Sequence, residues 1–185
     1  MSKMILGFTG PIASGKEVVK KYLENKYKAD SFKFSAILRH ILDYLDIDQN
    51  RDNLIALSTF LRQQYGEDIL AKAIAKEVKG AANDIIIVDG IRRLMDIKYL
   101  EKIPGFTLIA IDAKPEIRYN RSVSRNENSG DADKSYATFL SDHQKETEIS
   151  IPAVMAEAKY QLDNSGNLET LYLEIDKIME KIQNN

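Results

Sequence analysis

The sequence predicts a three-layer α/β fold built around a parallel sheet. Short apolar runs typical of buried strands alternate with longer segments in which apolar residues recur at helical spacing. A glycine-rich turn follows the first apolar run directly. Because parallel strands need crossover connections, usually helices, this alternation favours a parallel sheet covered by helices on both faces.

Length and composition restrict the class of protein. At 185 residues the chain is long enough for one well-buried core, so we expect a single domain over residues 1–185. A formal charge of −2 gives no reason to expect a nucleic acid polymer as the main partner, and the absence of cysteine excludes disulfides. No apolar run approaches the ~20 residues of a membrane span. We expect a cytoplasmic monomer or homodimer with no membrane partner.

The first strand and helix surround the glycine-rich turn. Residues 3–9 form an apolar run typical of a buried strand, and residues 16–25 place their apolar side chains on one helical face. Residues 32–34 alternate as a short second strand. Ser35 then has the right position and side chain to cap a following helix.

A helical insertion is predicted between the second and third strands. Leucines recur at helical spacing over residues 51–65, and Gly66 ends that helix. A further helix covers residues 67–80. One crossover helix would be shorter, so we expect an enlarged helical region at about residues 35–80.

The second half of the chain continues the alternation. Residues 84–90 read as a central strand that ends in an acid, because the run is apolar throughout and therefore buried on both faces. The polar segment 127–134 predicts a mobile loop. The remaining predicted strands cover residues 106–111 and 160–163, and the remaining helices cover residues 115–125, 135–146, 149–157 and 168–182.

The glycine-rich turn, Gly10 to Lys16, matches seven positions of the phosphate-binding motif G-x-x-x-x-G-K-[ST]. Its backbone N–H groups, the Lys16 ammonium and the positive end of the next helix would all face a polyphosphate. Glu17 stands where the motif has the Ser or Thr hydroxyl that binds Mg²⁺, so the motif does not identify the magnesium ligand. The alternative is a turn that only joins strand to helix. The expected contacts of the nucleotide are Gly10, Ile12, Ala13, Ser14, Gly15, Lys16, Glu17 and Val18.

Asp89 and two arginines form a second cluster of candidates. A carboxylate at the end of the strand beside the loop can hold Mg²⁺ or its water shell. Arg92 and Arg93 would contact phosphate at the mouth of the site. The alternatives are a helix N-cap for Asp89 and a solvated helix start for the arginines.

These residues resemble the P-loop nucleoside monophosphate kinases. Ser35-Ala36-Ile37-Leu38-Arg39 is similar to the segment in which that family meets its acceptor, and Asp89-Gly90-Ile91-Arg92-Arg93 is similar to its Asp-Gly-x-x-Arg. The resemblance covers nearly the whole chain. It is strongest to the deoxynucleoside monophosphate kinase and dephospho-coenzyme A kinase-like branches, some of which carry a carboxylate where Glu17 stands.

The resemblance implies a role for each matching residue. Lys16 would contact the donor phosphates, Ser35, Arg39 and Arg93 the acceptor, and Asp89 the metal or the acceptor. Glu17 and Asp89 are the candidate metal ligands. An ion pair between Arg39 and Asp43, four residues later, is the alternative for Arg39.

A small lid at about residues 119–146 is also implied. Arg121 and Arg125 share a helical face with Arg118, and in the family such arginines close over the donor. The alternative, favoured for Arg118, is a solvated basic face. Asn164 to Asn167 resembles the turn that packs along the donor adenine, although an ordinary loop with an N-cap explains these residues equally.

The function that we expect is transfer of the γ-phosphoryl group of ATP, with Mg²⁺, to a small-molecule nucleotide such as a deoxynucleoside or nucleoside monophosphate. Dephospho-coenzyme A kinase activity on a ribose hydroxyl is the alternative. A GTP-dependent switch is disfavoured because Asn25-Lys26-Tyr27-Lys28 lacks the aspartate that such proteins use for guanine. An inactive nucleotide-binding protein is a third possibility, suggested by Glu17.

Overall fold

The computed structural model describes residues 3–125, 135–142 and 149–184. Its strands are β1 (Met4–Thr9), β2 (Asp30–Lys33), β3 (Ile85–Asp89), β4 (Phe106–Asp112) and β5 (Tyr160–Asp163). They form one sheet in the order β2-β3-β1-β4-β5, and each neighbouring pair is parallel. The predicted α/β fold class is therefore confirmed.

Helices connect the strands and cover both faces of the sheet. In the described part of the chain they are α1 (Lys16–Tyr27), α2 (Phe34–Tyr44), α3 (Arg51–Tyr65), α4 (Ile69–Gly80), α5 (Leu94–Ile97), α6 (Pro115–Arg125), α7 (Tyr136–Asp142), α8 (Ile151–Ala156) and α9 (Leu168–Gln183). None of the helices in these ranges is both long enough and apolar enough to cross a bilayer.

The core lies on the two faces of the sheet. Successive strand residues point to opposite faces, so Phe8 packs with residues of α1 and α9, whereas Ile5 packs with residues of α2, α4 and α8. Every residue of β1 is buried. This two-sided burial explains why β1 reads as a continuous apolar run.

The strand register brings the chemistry to one edge of the sheet. Asp89, the last residue of β3, lies opposite Phe8 of β1 on one side and Lys33 of β2 on the other. The carboxyl ends of parallel strands meet at this edge, where such folds bind their ligands. The glycine-rich turn follows β1 directly, so the turn and Asp89 are neighbours.

The enlarged helical region between β2 and β3 is present as α2, α3 and α4. The bounds of α3 agree with the prediction, and Gly66 is its C-cap. Ser35 as an N-cap was wrong, because α2 begins one residue earlier, at Phe34, with Lys33 in the cap position. Phe34 is buried in the core. The chain passes directly from β2, which ends at Lys33, into this helix.

In the second half of the chain, the predicted bounds of the helices agree less closely with the structure. The helix predicted over residues 149–157 covers Ile151–Ala156, and α7 covers Tyr136–Asp142 of the helix predicted over residues 135–146. Residues 143–146, the predicted loop 127–134 and the Arg125 side chain lie outside the described part. The short helix α5 was given no bounds from the sequence, because four residues are too few to show a helical period.

Candidate active site

The glycine-rich turn adopts a conformation that depends on its glycines. Gly10 has φ 144° and Gly15 has φ 100°, and a Cβ at Gly10 would lie 2.0 Å from the Ile111 carbonyl oxygen. Ala13 also has a positive φ, 59°. The Lys16 ammonium lies inside the curve of the turn and donates to the carbonyls of Gly10, at 2.7 Å, and Pro11, at 2.9 Å. The turn thus curls around a cation at the start of α1.

Asn164 holds the turn from behind. Its Nδ2 donates to the Ser14 carbonyl at 2.8 Å, and its backbone N–H donates to the Asp112 carbonyl at 2.7 Å. The Arg121 guanidinium in turn donates to the Asn164 carbonyl at 2.9 Å. Asn164 is 2% exposed. A Cβ at Gly15 would lie 1.9 Å from Asn164 Nδ2, so the glycine allows this close approach.

Arg118 also supports the glycine-rich turn. The prediction that it lies on a solvated basic face was wrong. The side chain is buried, and its Nε donates to the Ala113 carbonyl at 2.9 Å. Its Nη1 donates to the Ile12 carbonyl of the turn at 3.4 Å, and its guanidinium lies 5.7 Å from the Phe139 ring. Arg118 therefore connects α6 to the glycine-rich turn.

A chain of charged groups joins Glu17 to Asp89. Lys33 Nζ lies 3.1 Å from Glu17 Oε2 and 3.5 Å from Asp89 Oδ2, and Lys20 Nζ lies 2.7 Å from Glu17 Oε1. Burial acts to raise the pKa of Glu17, but the hydrogen bonds from Lys20 and Lys33 outweigh it and hold that pKa below its ordinary value. Sequence analysis missed Lys33, because only the β2–β3 register places it beside Asp89.

Asp89 is not a helix cap, which removes its alternative role. The next helix, α5, begins at Leu94 and has Arg93 in its cap position. The Asp89 side chain is mostly buried at the end of β3, and it faces the same space as the glycine-rich turn.

Most of the predicted site residues meet around one cavity of about 510 Å³. Those that line it are Gly10, Ile12, Ala13, Ser14, Gly15, Lys16, Glu17, Ser35, Asp89 and Arg92. Val18, Arg39, Arg93, Arg121 and Asn164 are not among its lining residues.

The cavity is positively charged although the chain is not. Four cationic side chains line it and two carboxylates oppose them, which leaves the lining with a net charge of +2. The cations are those of Lys16, Lys21, Lys33 and Arg92, and the carboxylates are those of Glu17 and Asp89. This local charge suits a polyphosphate, in a chain whose formal charge is −2.

A buried ion pair fixes the backbone that carries Arg92 and Arg93. Asp96 Oδ2 accepts the backbone N–H groups of both arginines at 3.1 Å, and its Oδ1 accepts from Arg62 Nη2, also at 3.1 Å. Arg62 and Asp96 are 7% and 2% exposed. Sequence analysis did not identify this pair, because Arg62 belongs to α3 and Asp96 to α5.

The two arginines assigned to an acceptor make contacts near the surface. Arg39 is exposed and donates to the Gln49 carbonyl at 3.1 Å, and Arg93 Nη1 donates to Glu67 Oε2 at 3.2 Å. The alternative ion pair between Arg39 and Asp43 is not formed, since Asp43 accepts from the Gln49 side chain instead.

Comparisons with known proteins find relatives in sequence and neighbours in fold. No family model matches the chain. A UPF0200 protein of Methanococcus maripaludis is 28% identical over 180 residues, spanning 96% of this chain and 97% of that protein. The structure of TT1252 from Thermus thermophilus superposes with a TM-score of 0.64, at 16% identity over 98% of each chain. Shikimate kinase from Bacteroides thetaiotaomicron superposes with a TM-score of 0.62, at 12% identity over 96% of this chain and 98% of that one. The chain therefore shares the fold of these two proteins, with one parallel five-stranded sheet.

Proposed function

We propose that this protein is a phosphotransferase that moves the γ-phosphoryl group of ATP to a small nucleotide acceptor, a deoxynucleoside or nucleoside monophosphate. The observation that carries the proposal is the curled turn around Lys16, which opens into a cavity of net positive charge. A carboxylate at the end of the neighbouring strand, Asp89, faces the same cavity. Phosphoryl transfer depends mainly on positioning and on stabilising charge, and these are the parts that it needs.

The donor phosphates would bind at the turn. The backbone N–H groups at residues 12–15 and the amino end of α1 would present positive charge to an anion, and the Ser14 N–H would exchange its contact with the Pro11 carbonyl for a phosphate oxygen. Lys16 would exchange its contacts with the two loop carbonyls for contacts with the β- and γ-phosphates. Arg121, held against Asn164, lies near the same end of α1 and would face the transferred group.

Two carboxylates of the site fit a magnesium ion. Mg²⁺ prefers oxygen ligands, and in kinases it is usually bound by one or two protein carboxylates, by water and by the phosphates themselves. Glu17 and Asp89 both line the cavity and both already contact a cation, Lys33. The ion, when bound, supplies positive charge to the β- and γ-phosphate oxygens. Glu17 would replace the hydroxyl that usually serves as a ligand.

The acceptor would enter from the side of α2 and α5. Arg92 and Ser35 line the cavity there, and the resemblance assigns Arg39 and Arg93 to the same molecule. The helical region at about residues 35–80 would form the acceptor side, and a small lid at about residues 119–146 would cover the donor.

A hydroxyl acceptor, such as the ribose hydroxyl of dephospho-coenzyme A, is the second candidate. The position of Asp89 favours it, because a carboxylate that lines the same cavity as Lys16 would be able to take the proton of an attacking hydroxyl. A monophosphate acceptor needs no such base.

A coupled assay of ADP release tests the proposal. The parent protein is supplied with ATP, Mg²⁺ and, in turn, each deoxynucleoside monophosphate, each ribonucleoside monophosphate and dephospho-coenzyme A. We expect acceptor-dependent ADP release, and we expect Lys16→Ala to reduce it by about 10³-fold or more, the range for groups that stabilise the transferred phosphoryl group.

The control is Lys79→Ala, which removes an exposed lysine at the end of α4 and should leave ADP release at the parent level. Thermal unfolding of Lys16→Ala should stay within about 3 °C of the parent, which corresponds to roughly 1 kcal/mol. ADP release that no acceptor stimulates, or Lys16→Ala with ordinary turnover, would refute the proposal.

A further inference from the structure

Lys33 connects the two carboxylates that the proposed function assigns to the metal. It is the last residue of β2, and the register pairs it directly with Asp89 of β3. Its ammonium lies 3.1 Å from Glu17 Oε2 and 3.5 Å from Asp89 Oδ2. One cationic group therefore contacts both carboxylates at once.

The second oxygen of Glu17 is already engaged. Lys20 Nζ lies 2.7 Å from Glu17 Oε1, and Lys20 is buried on α1. This contact holds the carboxylate so that Oε2 points toward Lys33 and Asp89. The oxygen of Glu17 left for a divalent ion is therefore Oε2, which Lys33 contacts, and on Asp89 Lys33 contacts Oδ2.

An ammonium and a magnesium ion compete for these oxygens, because each weakens the binding of the other. Mg²⁺ requires ligand oxygens at about 2.0–2.1 Å, so an ion bound to Glu17 Oε2 and Asp89 Oδ2 would lie only a few ångströms from the Lys33 ammonium and would be repelled by it. The Lys33 ammonium is able to move away from the two carboxylates, because the side chain is 38% exposed and its four-carbon stem is flexible. It also lines the cavity in which the phosphates would bind.

We propose that Lys33 is an internal competitor for the divalent cation, holding Glu17 and Asp89 until a polyphosphate draws its ammonium away. The metal then binds well only together with the nucleotide. This inference rests on the proposed function for the assignment of the two carboxylates to the metal. By thermodynamic reciprocity, a nucleotide that displaces Lys33 raises the affinity for the metal, and the metal raises the affinity for the nucleotide by the same factor.

Binding of Mn²⁺ to the nucleotide-free protein tests this directly. Mn²⁺ prefers the same oxygen ligands as Mg²⁺, and the free ion is quantified by its electron paramagnetic resonance signal. We expect Lys33→Met to bind Mn²⁺ about tenfold more tightly than the parent, since a competing cation is removed from both carboxylates.

The matched control is Lys21→Met. Lys21 lines the same cavity and carries the same charge, so this variant measures the general effect of removing one positive charge. We expect its Mn²⁺ affinity to rise by no more than about threefold, because a solvated charge without contact to the ligand oxygens is well screened. A second variant, Lys33→Gln, repeats the test in case Lys33→Met does not fold.

The double variant Lys33→Met with Glu17→Gln locates the ion. It should lose the tight Mn²⁺ binding that Lys33→Met alone acquires. The inference is overturned if folded Lys33→Met and Lys33→Gln bind Mn²⁺ no more tightly than Lys21→Met, or if the double variant keeps the tight site.

These outcomes are independent of the assay for the proposed function. A parent protein that releases ADP normally, with Mn²⁺ binding unchanged in Lys33→Met, would refute the role of Lys33 and leave the kinase proposal standing. If the parent transfers no phosphoryl group but Lys33→Met binds Mn²⁺ tightly through Glu17, the kinase proposal is refuted and the role of Lys33 stands.

Discussion

The two sides of the cavity are built differently. On the side of the glycine-rich turn, buried groups hold the backbone: Asn164 contacts the Ser14 carbonyl and Arg118 contacts the Ile12 carbonyl. On the side of α2 and α5, Arg39 and Arg93 contact Gln49 and Glu67 near the surface. Buried hydrogen bonds fix a conformation more firmly than hydrogen bonds and ion pairs near the surface, where water competes for the same groups. The turn is thus preorganised for a ligand, whereas the arginine side chains are able to rearrange around one.

The difference fits the two substrates of the phosphotransferase that we propose. A polyphosphate presents the same oxygens at every turnover, so a fixed cradle suits it. The acceptor must enter, align and leave. On its side the backbone of Arg92 and Arg93 is fixed by Asp96, and the freedom is confined to the side chains.

The largest effect that we expect comes from the arginines of α6. Arg121→Ala or Arg125→Ala should lower kcat by roughly 10³-fold or more, with little change in the affinity for ATP, because guanidinium groups stabilise charge that develops in the transition state. Steady-state kinetics and equilibrium binding of ATP, measured for both variants, separate the two effects.

The control for α6 is Asn120→Ala, an exposed position on the same helix, which should keep the parent kcat. If the kcat of Arg121→Ala and of Arg125→Ala stays within a few-fold of the parent value, Arg92 or Arg93 must stabilise the charge of the transition state. A loss of stability without loss of turnover would make Arg121 a support for Asn164 only.

A second prediction concerns the buried pair that supports the arginine side. Arg62→Met should lower the free energy of unfolding by about 3–5 kcal/mol, because it leaves the Asp96 carboxylate buried without its charged partner. Urea unfolding measures this. Arg51→Met, the same substitution at an exposed position of α3, should change stability by no more than about 0.5 kcal/mol. A loss below about 1 kcal/mol for Arg62→Met would show that this side does not depend on the pair.

Sequence reasoning succeeded where one segment determines its own structure. The bounds of α3 follow from the helical spacing of its leucines, and those of β5 from a short alternating run. The start of α6 follows from a proline at the first helical position. The glycine-rich turn was identified because its glycines and Lys16 have a fixed spacing. Asp89 was identified because it ends an apolar run.

Reasoning from sequence missed contacts between distant segments. Asn164 donates to Ser14 across 150 residues, and no local pattern reveals that pairing. The spacing of Arg118 from Arg121 and Arg125 is also that of a solvated basic helix face. Only the contacts of Arg118 with Phe139 and the turn distinguish the two cases. Lys33 was missed because the register of β2 against β3 is a property of the assembled sheet.

The smallest effect in this series concerns the acceptor. Arg39→Ala or Arg93→Ala should weaken binding of the acceptor by about 1.5–3 kcal/mol, the value of a charge-assisted hydrogen bond. Calorimetric titration with the acceptor identified by ADP release provides the measurement. Arg51→Ala removes an exposed arginine from the same helical region and should bind the acceptor like the parent.

The division of the cavity into a donor side and an acceptor side is tested most directly by the affinity for a fluorescent ATP analogue. The dissociation constant is measured for the parent, Lys16→Ala, Arg39→Ala and Arg93→Ala under identical conditions. We predict that Lys16→Ala weakens binding by about tenfold or more, the loss of one charge-assisted contact, whereas both arginine variants stay within about twofold of the parent. Equal losses in all three variants, or parent-like binding by Lys16→Ala, would contradict the division.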